Sequence, residues 1–382
     1  SKGAGGWSGT PPLFQAASAG SLRVARVLLE LGARVGEESV SGQPYFVDVC
    51  EGGNLAGVDF LLRNGAKPTW QSVSGRPVLV QAVRKGNVEL ARMLLDYGAK
   101  ANCSDMTGSS VLALATEKPD LALAQLLLDR GAKPNADTIY GSSVLADAIS
   151  RRRLDAARLL LDRGAEGGKA DMYGQPLLIC VIKDAAMAGA DKTDLARRLL
   201  ENGASADAKD TTRGRSAIFH ALEAGLTDVV ELLLEHGAKT TYRMSSGATL
   251  LLHAIDHGRR DEARVLLEHG ADANDADKQG RTPLMQAVVR QDADMVRLLR
   301  EHGADVNAMG ATGVMDLARA LNRPDIMELL GLGGETSSAA AEGSRAGAPG
   351  DGRPGRAESP PPGYDVTTKS RWPCSDGDCS KE

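Results

Sequence analysis

A glycine recurs at a fixed interval along most of this chain, and no other feature constrains the fold as tightly. Gly9, Gly42, Gly75, Gly108, Gly141 and Gly174 stand 33 residues apart. The step then widens to 40 before Gly214 and returns to 33 at Gly247, Gly280 and Gly313. A fixed period in this range belongs to stacked repeat arrays, in which each unit buries its apolar face only against its neighbours. Such a chain presents a long surface instead of enclosing one active site.

Each period carries the same internal pattern. Four residues after the glycine comes an apolar side chain: Leu13, Phe46, Leu79, Leu112, Leu145, Leu178, Ile218, Leu251, Leu284 and Leu317. Three further on is a small one: Ala16, Val49, Ala82, Ala115, Ala148, Val181, Ala221, Ala254, Ala287 and Ala320. That spacing places both on one helix face. A second apolar helix then ends before Gly-Ala, as at Gly32-Ala33, Gly98-Ala99 and Gly270-Ala271. Glycine after an apolar run is a helix stop, because it adopts the left-handed cap conformation without strain. A turn or short hairpin rich in Asp, Asn, Ser and Gly leads back to the next period. Aromatics make up only 3% of the chain, so the core must be built from Leu, Ala and Val.

The period, the Gly-Ala pairs and the segment Gly280-Arg281-Thr282-Pro283-Leu284 resemble ankyrin repeats, as do Gly303-Ala304-Asp305-Val306-Asn307 and Gly270-Ala271-Asp272. The resemblance runs over residues 8–332, in ten registered repeats. It implies an all-α solenoid with inner and outer helix layers and a row of protruding hairpins. The activity it implies is recognition of a protein or peptide partner on the concave side. The family's Thr-Pro-Leu-His tetrapeptide is whole in no repeat; Pro11, Pro44, Pro77 and Pro176 replace the threonine, as do Ser110, Ser143 and Ser216. His220 and His253 lie one place past the family's histidine, so its role does not pass to them.

Residues 1–7 form an N-terminal extension, and residues 333–382 a Gly-, Pro-, Ser- and Ala-rich tail whose composition predicts disorder. The net charge of −5 disfavours a nucleic-acid binder. No apolar run is long enough for a membrane span. Cys50, Cys103, Cys180, Cys374 and Cys379 suggest no disulfide framework. An intracellular setting, cytoplasmic or nuclear, and a monomer are the expectations.

No catalytic, cofactor-binding or nucleotide-binding constellation stands out. His236, His269 and His302 recur before Gly-Ala, but equivalent residues of stacked helices lie ~8–10 Å apart and cannot share one metal. Two surface features suggest binding instead. Val40, Val73, Met106, Ile139 and Met172 stand two places before successive glycines, with Tyr140 and Tyr173 beside the last two. They fall at hairpin tips, and form either an exposed apolar strip or a set of tips that shield one another. The second feature is positive charge near the ends of the first helices, at Arg84, Lys85, Lys118, Arg151, Arg152, Arg153 and Lys183, with Arg76 close by. It suits an acidic partner segment, or is solvated charge.

Repeat six carries seven extra residues, six of them expected between its helices around Ala185–Asp191, as a loop beside the basic cluster. In the tail, Pro361-Pro362-Gly363-Tyr364 resembles the PPxY ligand of WW domains, in which a polyproline helix presents a tyrosine. Such tetrapeptides also arise by chance in Pro-rich tails. The resulting expectation is a non-enzymatic interaction scaffold. The alternative is the targeting arm of a larger enzyme whose catalytic domain lies elsewhere.

Overall fold

A computed structural model describes residues 9–307 and 313–331. The N-terminal extension and the tail, with Pro361, Pro362, Gly363, Tyr364, Cys374 and Cys379, lie outside the described residues. The chain divides into two compact units, Ser1–Ala238 and Lys239–Glu382.

Among the described residues the first unit holds seven helix pairs. They are α1 Pro12–Ser18 with α2 Leu22–Glu30, α3 Tyr45–Gly52 with α4 Leu55–Arg63, α5 Val78–Lys85 with α6 Val88–Asp96, and α7 Val111–Thr116 with α8 Ala122–Asp129. Then come α9 Val144–Ser150 with α10 Leu154–Asp162, α11 Leu177–Lys183 with α12 Gly189–Glu201, and α13 Ala217–Ala224 with α14 Thr227–Glu235. The second unit holds α15 Leu250–Asp256 with α16 Arg260–Glu268, α17 Pro283–Val289 with α18 Ala293–Glu301, and α19 Val314–Leu321 with α20 Pro324–Leu329. No strand occurs among the described residues. The hairpins close on isolated antiparallel bridges such as Glu38 with Pro44 and Gln71 with Pro77.

The helix starts follow the chemistry of one position. Ser110, Ser143, Thr249 and Thr282 each accept, through the side-chain oxygen, the N–H three residues on, at 3.1–3.2 Å. Pro11, Pro44, Pro77 and Pro176 occupy the same cap without a side-chain bond. The second helices end as Gly-Ala requires. Gly32, Gly98 and Gly270 adopt φ of +92°, +94° and +83°. The following alanine N–H then reaches back to Leu28, Leu94 and Leu266 at 2.8–2.9 Å, the long bond of a Schellman motif.

The expected core is in place. Leu13, Phe46, Leu79, Leu112, Leu145, Leu178, Ile218, Leu251 and Leu284 are at most 1% exposed, and the small partners from Ala16 to Ala287 are buried with them. The tenth repeat departs from the expectation. Its first helix is capped by Gly313, which stands where Thr282 stands in repeat nine, only 31 residues earlier. Gly313 is therefore a helix cap and not a turn glycine. The buried residues of α19 are Val314, Leu317 and Ala318, and Ala320 is exposed. Asp316, Arg319 and Asn322 are exposed.

Repeat six also differs. The insertion is not one loop: α12 runs 13 residues where the other second helices run six to nine. The connection that remains is pinned. Met187 is buried, and Lys192, itself buried, donates to the Ile182 carbonyl at the end of α11 at 2.9 Å. Asp191 accepts from Arg158 at 2.7 Å.

Candidate protein-interaction surface

The hairpin tips are built by one device. In each, the turn glycine donates its N–H to the carbonyl three residues back: Gly42 to Ser39, Gly75 to Ser72, Gly108 to Asp105, Gly141 to Thr138 and Gly174 to Asp171, at 2.7–3.0 Å. These glycines hold φ between +72° and +84°, which closes the turn. The two central residues are thereby pushed outward. They are Val40, Val73, Met106, Ile139 and Met172, followed by Ser41, Ser74, Thr107, Tyr140 and Tyr173. The residue that opens the turn stiffens it with its side chain. Asp171 accepts from the Tyr173 and Gln175 N–H groups, both at 2.8 Å, and Ser39 accepts from Gln43 at 3.1 Å. Gln43 Oε1 also accepts the Val73 N–H, tying one tip to the next.

The outcome decides between the two readings of the strip. Val40 is fully exposed, and Val73, Met106, Ile139, Tyr140, Met172 and Tyr173 are 45–79% exposed. The tips do not shield one another.

The basic cluster has a different fate. Arg84 pairs with Asp105, whose side chain is 2% exposed. Burial pushes the Asp105 carboxyl upward, but hydrogen bonds from Thr107 and Arg84 outweigh it and hold the group below its ordinary value. Arg151 Nε donates to Asp147 at 2.7 Å, and Arg153 reaches the same carboxylate at 3.2 Å. Arg152 makes a two-pronged pair with Asp184, at 2.8 and 2.9 Å, which lowers the Asp184 carboxyl. Lys85 donates to the Glu51 carbonyl at 2.9 Å and Lys118 to the Arg84 carbonyl at 2.8 Å. Arg290 does the same to Asp256 in the second unit, at 2.7 Å.

Each of these last three cations sits one repeat after the carbonyl it caps. Positive charge is favoured at a helix C-terminus, where carbonyls lack intrahelical partners. The side chains thus bridge consecutive repeats. Lys183 is exposed at the end of α11, and the Arg76 Nε is buried without a hydrogen-bond partner among the described residues. An open groove of about 490 Å³ beside Lys118, Pro119 and Leu121 is also lined by Arg152, Arg153 and Arg158, and all three of these arginines are paired with carboxylates.

The histidines have local explanations. His236 and His269 cap α14 and α16, and each ring meets the carbonyl one turn back, at 2.9 Å. His302 caps α18. His220 is buried and pairs with Asp210 at 2.8 Å, so its partner is a turn aspartate. One feature escaped the sequence reading, the set of ties that fix the insertion.

A family profile described as ankyrin repeats (3 copies) matches residues 45–138, 79–171, 182–277, 241–310 and 270–335. Among individual proteins, the chain is similar to the mouse 2-5A-dependent ribonuclease, 40% identical over 73 residues, covering 18% of this chain and 10% of that protein. It is similar to the mouse B-cell lymphoma 3 protein homolog, 47% identical over 51 residues, covering 13% and 11%. The matches thus span about a tenth of either relative's length. The solved ankyrin repeat domain of Bcl-3 is 28% identical, with 58% of this chain and 97% of that one covered and a TM-score of 0.42. Among the described residues no helix is long and apolar enough to cross a membrane. With the profile covering most of the helix pairs, the chain belongs to the ankyrin-repeat family.

Proposed function

We propose that this chain is a non-enzymatic interaction scaffold whose protein partner packs on the hairpin tips of repeats two to six. One observation carries the reading: Val40, Val73, Met106, Ile139, Tyr140, Met172 and Tyr173 are exposed on consecutive tips. A contiguous exposed apolar strip of this kind marks interaction sites. Its turns are stiffened by side-chain hydrogen bonds, so little conformational freedom has to be lost on binding. Tyr and Met are also residues that interfaces favour. Arg76, Lys183 and the rim of the basic cluster supply polar contacts at the edge. An acidic partner segment would compete with Asp105, Asp147 and Asp184 for the arginines.

The test replaces Met106, Ile139, Tyr140, Met172 and Tyr173 by serine together. Exposed side chains away from special features alter stability by only about ±0.5 kcal/mol each, so the variant should stay folded. Partners retained by the parent protein in affinity capture should be lost by the variant at unchanged circular dichroism. Equal capture of every partner by both proteins removes the tip strip as the site.

The tail adds a separate proposal, a WW-domain partner held through Pro361, Pro362, Gly363 and Tyr364. Calorimetry with a peptide of residues 350–372 tests it, and a Tyr364→Ala peptide should show no binding.

A further inference from the structure

The apolar strip runs over five consecutive tips, from Val40 to Tyr173, and all five lie in the first compact unit. We propose that the segment seated on it is an amphipathic α-helix of the partner, with apolar side chains recurring every seven residues, so that each heptad meets one tip. This rests on the tips being the binding site and names what binds there.

The step between tips sets the period. Helices packed side by side lie ~8–10 Å apart, and the tips they carry follow at about the same step. Side chains hold that step at both ends of the strip. Gln43 Oε1 accepts the Val73 N–H at 3.4 Å, and Gln175 Oε1 accepts the N–H and hydroxyl of Thr211 at 3.1 and 3.0 Å. Seven residues of α-helix rise ~10.5 Å in close to two turns, so one helix face meets every tip. The face drifts by ~20° per heptad, or ~80° over four steps, within the ~100° apolar stripe of a surface helix.

Extended segments fit less well. A strand rises ~10 Å in three residues, but the third side chain points to the opposite face, so every second tip is missed. A polyproline helix matches the step at ~9.3 Å per turn, but its bare backbone needs hydrogen-bond partners. The tips have theirs engaged. Ser41 Oγ bonds Ser39 Oγ at 2.8 Å, Ser74 Oγ bonds Ser72 Oγ at 2.7 Å, and the Thr107 hydroxyl donates to Asp105. The N–H groups of Thr107, Tyr140 and Tyr173 turn back to Asp105, Thr138 and Asp171. An α-helix closes its own backbone bonds and asks only for apolar contact. The tip pairs widen from Val40-Ser41 and Val73-Ser74 to Ile139-Tyr140 and Met172-Tyr173, so the helix holds most firmly at repeats five and six. Four steps of about 10 Å need ~27 residues of helix.

The experiment titrates this chain into labelled peptides of three, four and five heptads, with leucine at positions a and d, at concentrations where the peptides are monomeric. Fluorescence anisotropy should show affinity rising ~10-fold with each added heptad. Mixing should also raise the peptides' helical circular dichroism. Val40→Ser with Val73→Ser should weaken the five-heptad peptide and spare the three-heptad one, which fits tips four to six. Serine at Met106, Ile139, Tyr140, Met172 and Tyr173 together should abolish binding of all three.

Three results overturn the proposal. No binding by the five-heptad peptide, or equal binding by one of the same composition with its leucines out of period, removes the helix. Equal binding by a peptide interrupted with prolines assigns the strip to an extended segment. A concentration-dependent dimer that the five-serine variant dissolves assigns it to a second copy. The tips remain the site in the first two cases if that variant loses the partners captured by the parent. Retention of those partners removes the site and the helix together.

Discussion

Arg84→Gln is the substitution that best separates a docking role for the basic cluster from a structural one. Arg84 stands in the last turn of α5, and its partner Asp105 opens the turn of the next repeat with a side chain 2% exposed. The carboxylate keeps the Thr107 and Ser109 N–H groups, at 2.9 and 3.1 Å, when the guanidinium is removed. It stays ionised but loses one charged hydrogen bond, a contribution of roughly 1.5–3 kcal/mol in a dry setting. Arg84 is 43% exposed, so solvent screens the pair and about 1 kcal/mol is the realistic figure. For a cooperative unit of ~150–250 residues that is a fall in Tm of about 2–4 °C.

The pH dependence fixes the mechanism. The folded Asp105 carboxyl lies below its ordinary value, so the stability it contributes is full above the unfolded pKa, near 3.9. That stability is lost as pH falls through the folded value. Calorimetry should therefore show a gap between parent and variant at pH 7 that narrows below about pH 4. Equal melting at pH 7, or a gap that ignores pH, refutes the reasoning. Arg84→Glu is a poor docking probe for the same reason. It places a second negative charge beside a buried one, and any lost binding then reports on the stack.

Glycine substitutions separate two kinds of constraint. Gly98→Ala meets open space but must hold φ near +94°, costing about 1–2 kcal/mol. Gly57→Ala has no such strain but collides with the Ala17 carbonyl, so urea denaturation should place it about 3 kcal/mol below the parent. Lys118→Met removes a bond to the carbonyl of Arg84 and should lower stability by about 0.5 kcal/mol, read by the same titration. Burial pushes the Cys103 thiol to about 11 and the Cys180 thiol to about 12. Both should react slowly with a thiol reagent at pH 8 in the native protein and quickly in urea.

The repeat architecture was legible because each period meets one demand. A residue four places after the turn glycine must fill the core, and from Leu13 to Leu284 it does. The same reasoning misplaced the last repeat. Gly313 keeps the 33-residue step by coincidence, while the helix it caps has moved two residues earlier. A glycine serves equally well as cap or turn, so spacing alone could not tell them apart. The insertion was misjudged for a related reason. Gly189 looks like a loop residue, yet it opens α12, with Met187 and Lys192 buried on either side. The fate of the charges was not legible at all. Arg84 with Asp105 and Arg152 with Asp184 lie 21 and 32 residues apart, and only the stacked repeats bring them together.

That distribution of charge bears on which surface does the binding. Along repeats three to six Arg84, Lys85, Lys118 and Arg152 already serve neighbouring repeats, as carboxylate partners or as caps on helix carbonyls, and Arg151 and Arg153 hold Asp147 of their own repeat. A partner that takes Arg84 or Arg152 must leave Asp105 or Asp184 with one bond fewer, so the stack opposes it. Met106, Ile139, Tyr140, Met172 and Tyr173 are instead 45–79% exposed. A partner that covers them displaces water from apolar surface, at ~25 cal/mol per Å². It breaks no inter-repeat bond in doing so. On the proposed reading the tips can therefore change their side chains without weakening the array, whereas Arg84 and Arg152 cannot.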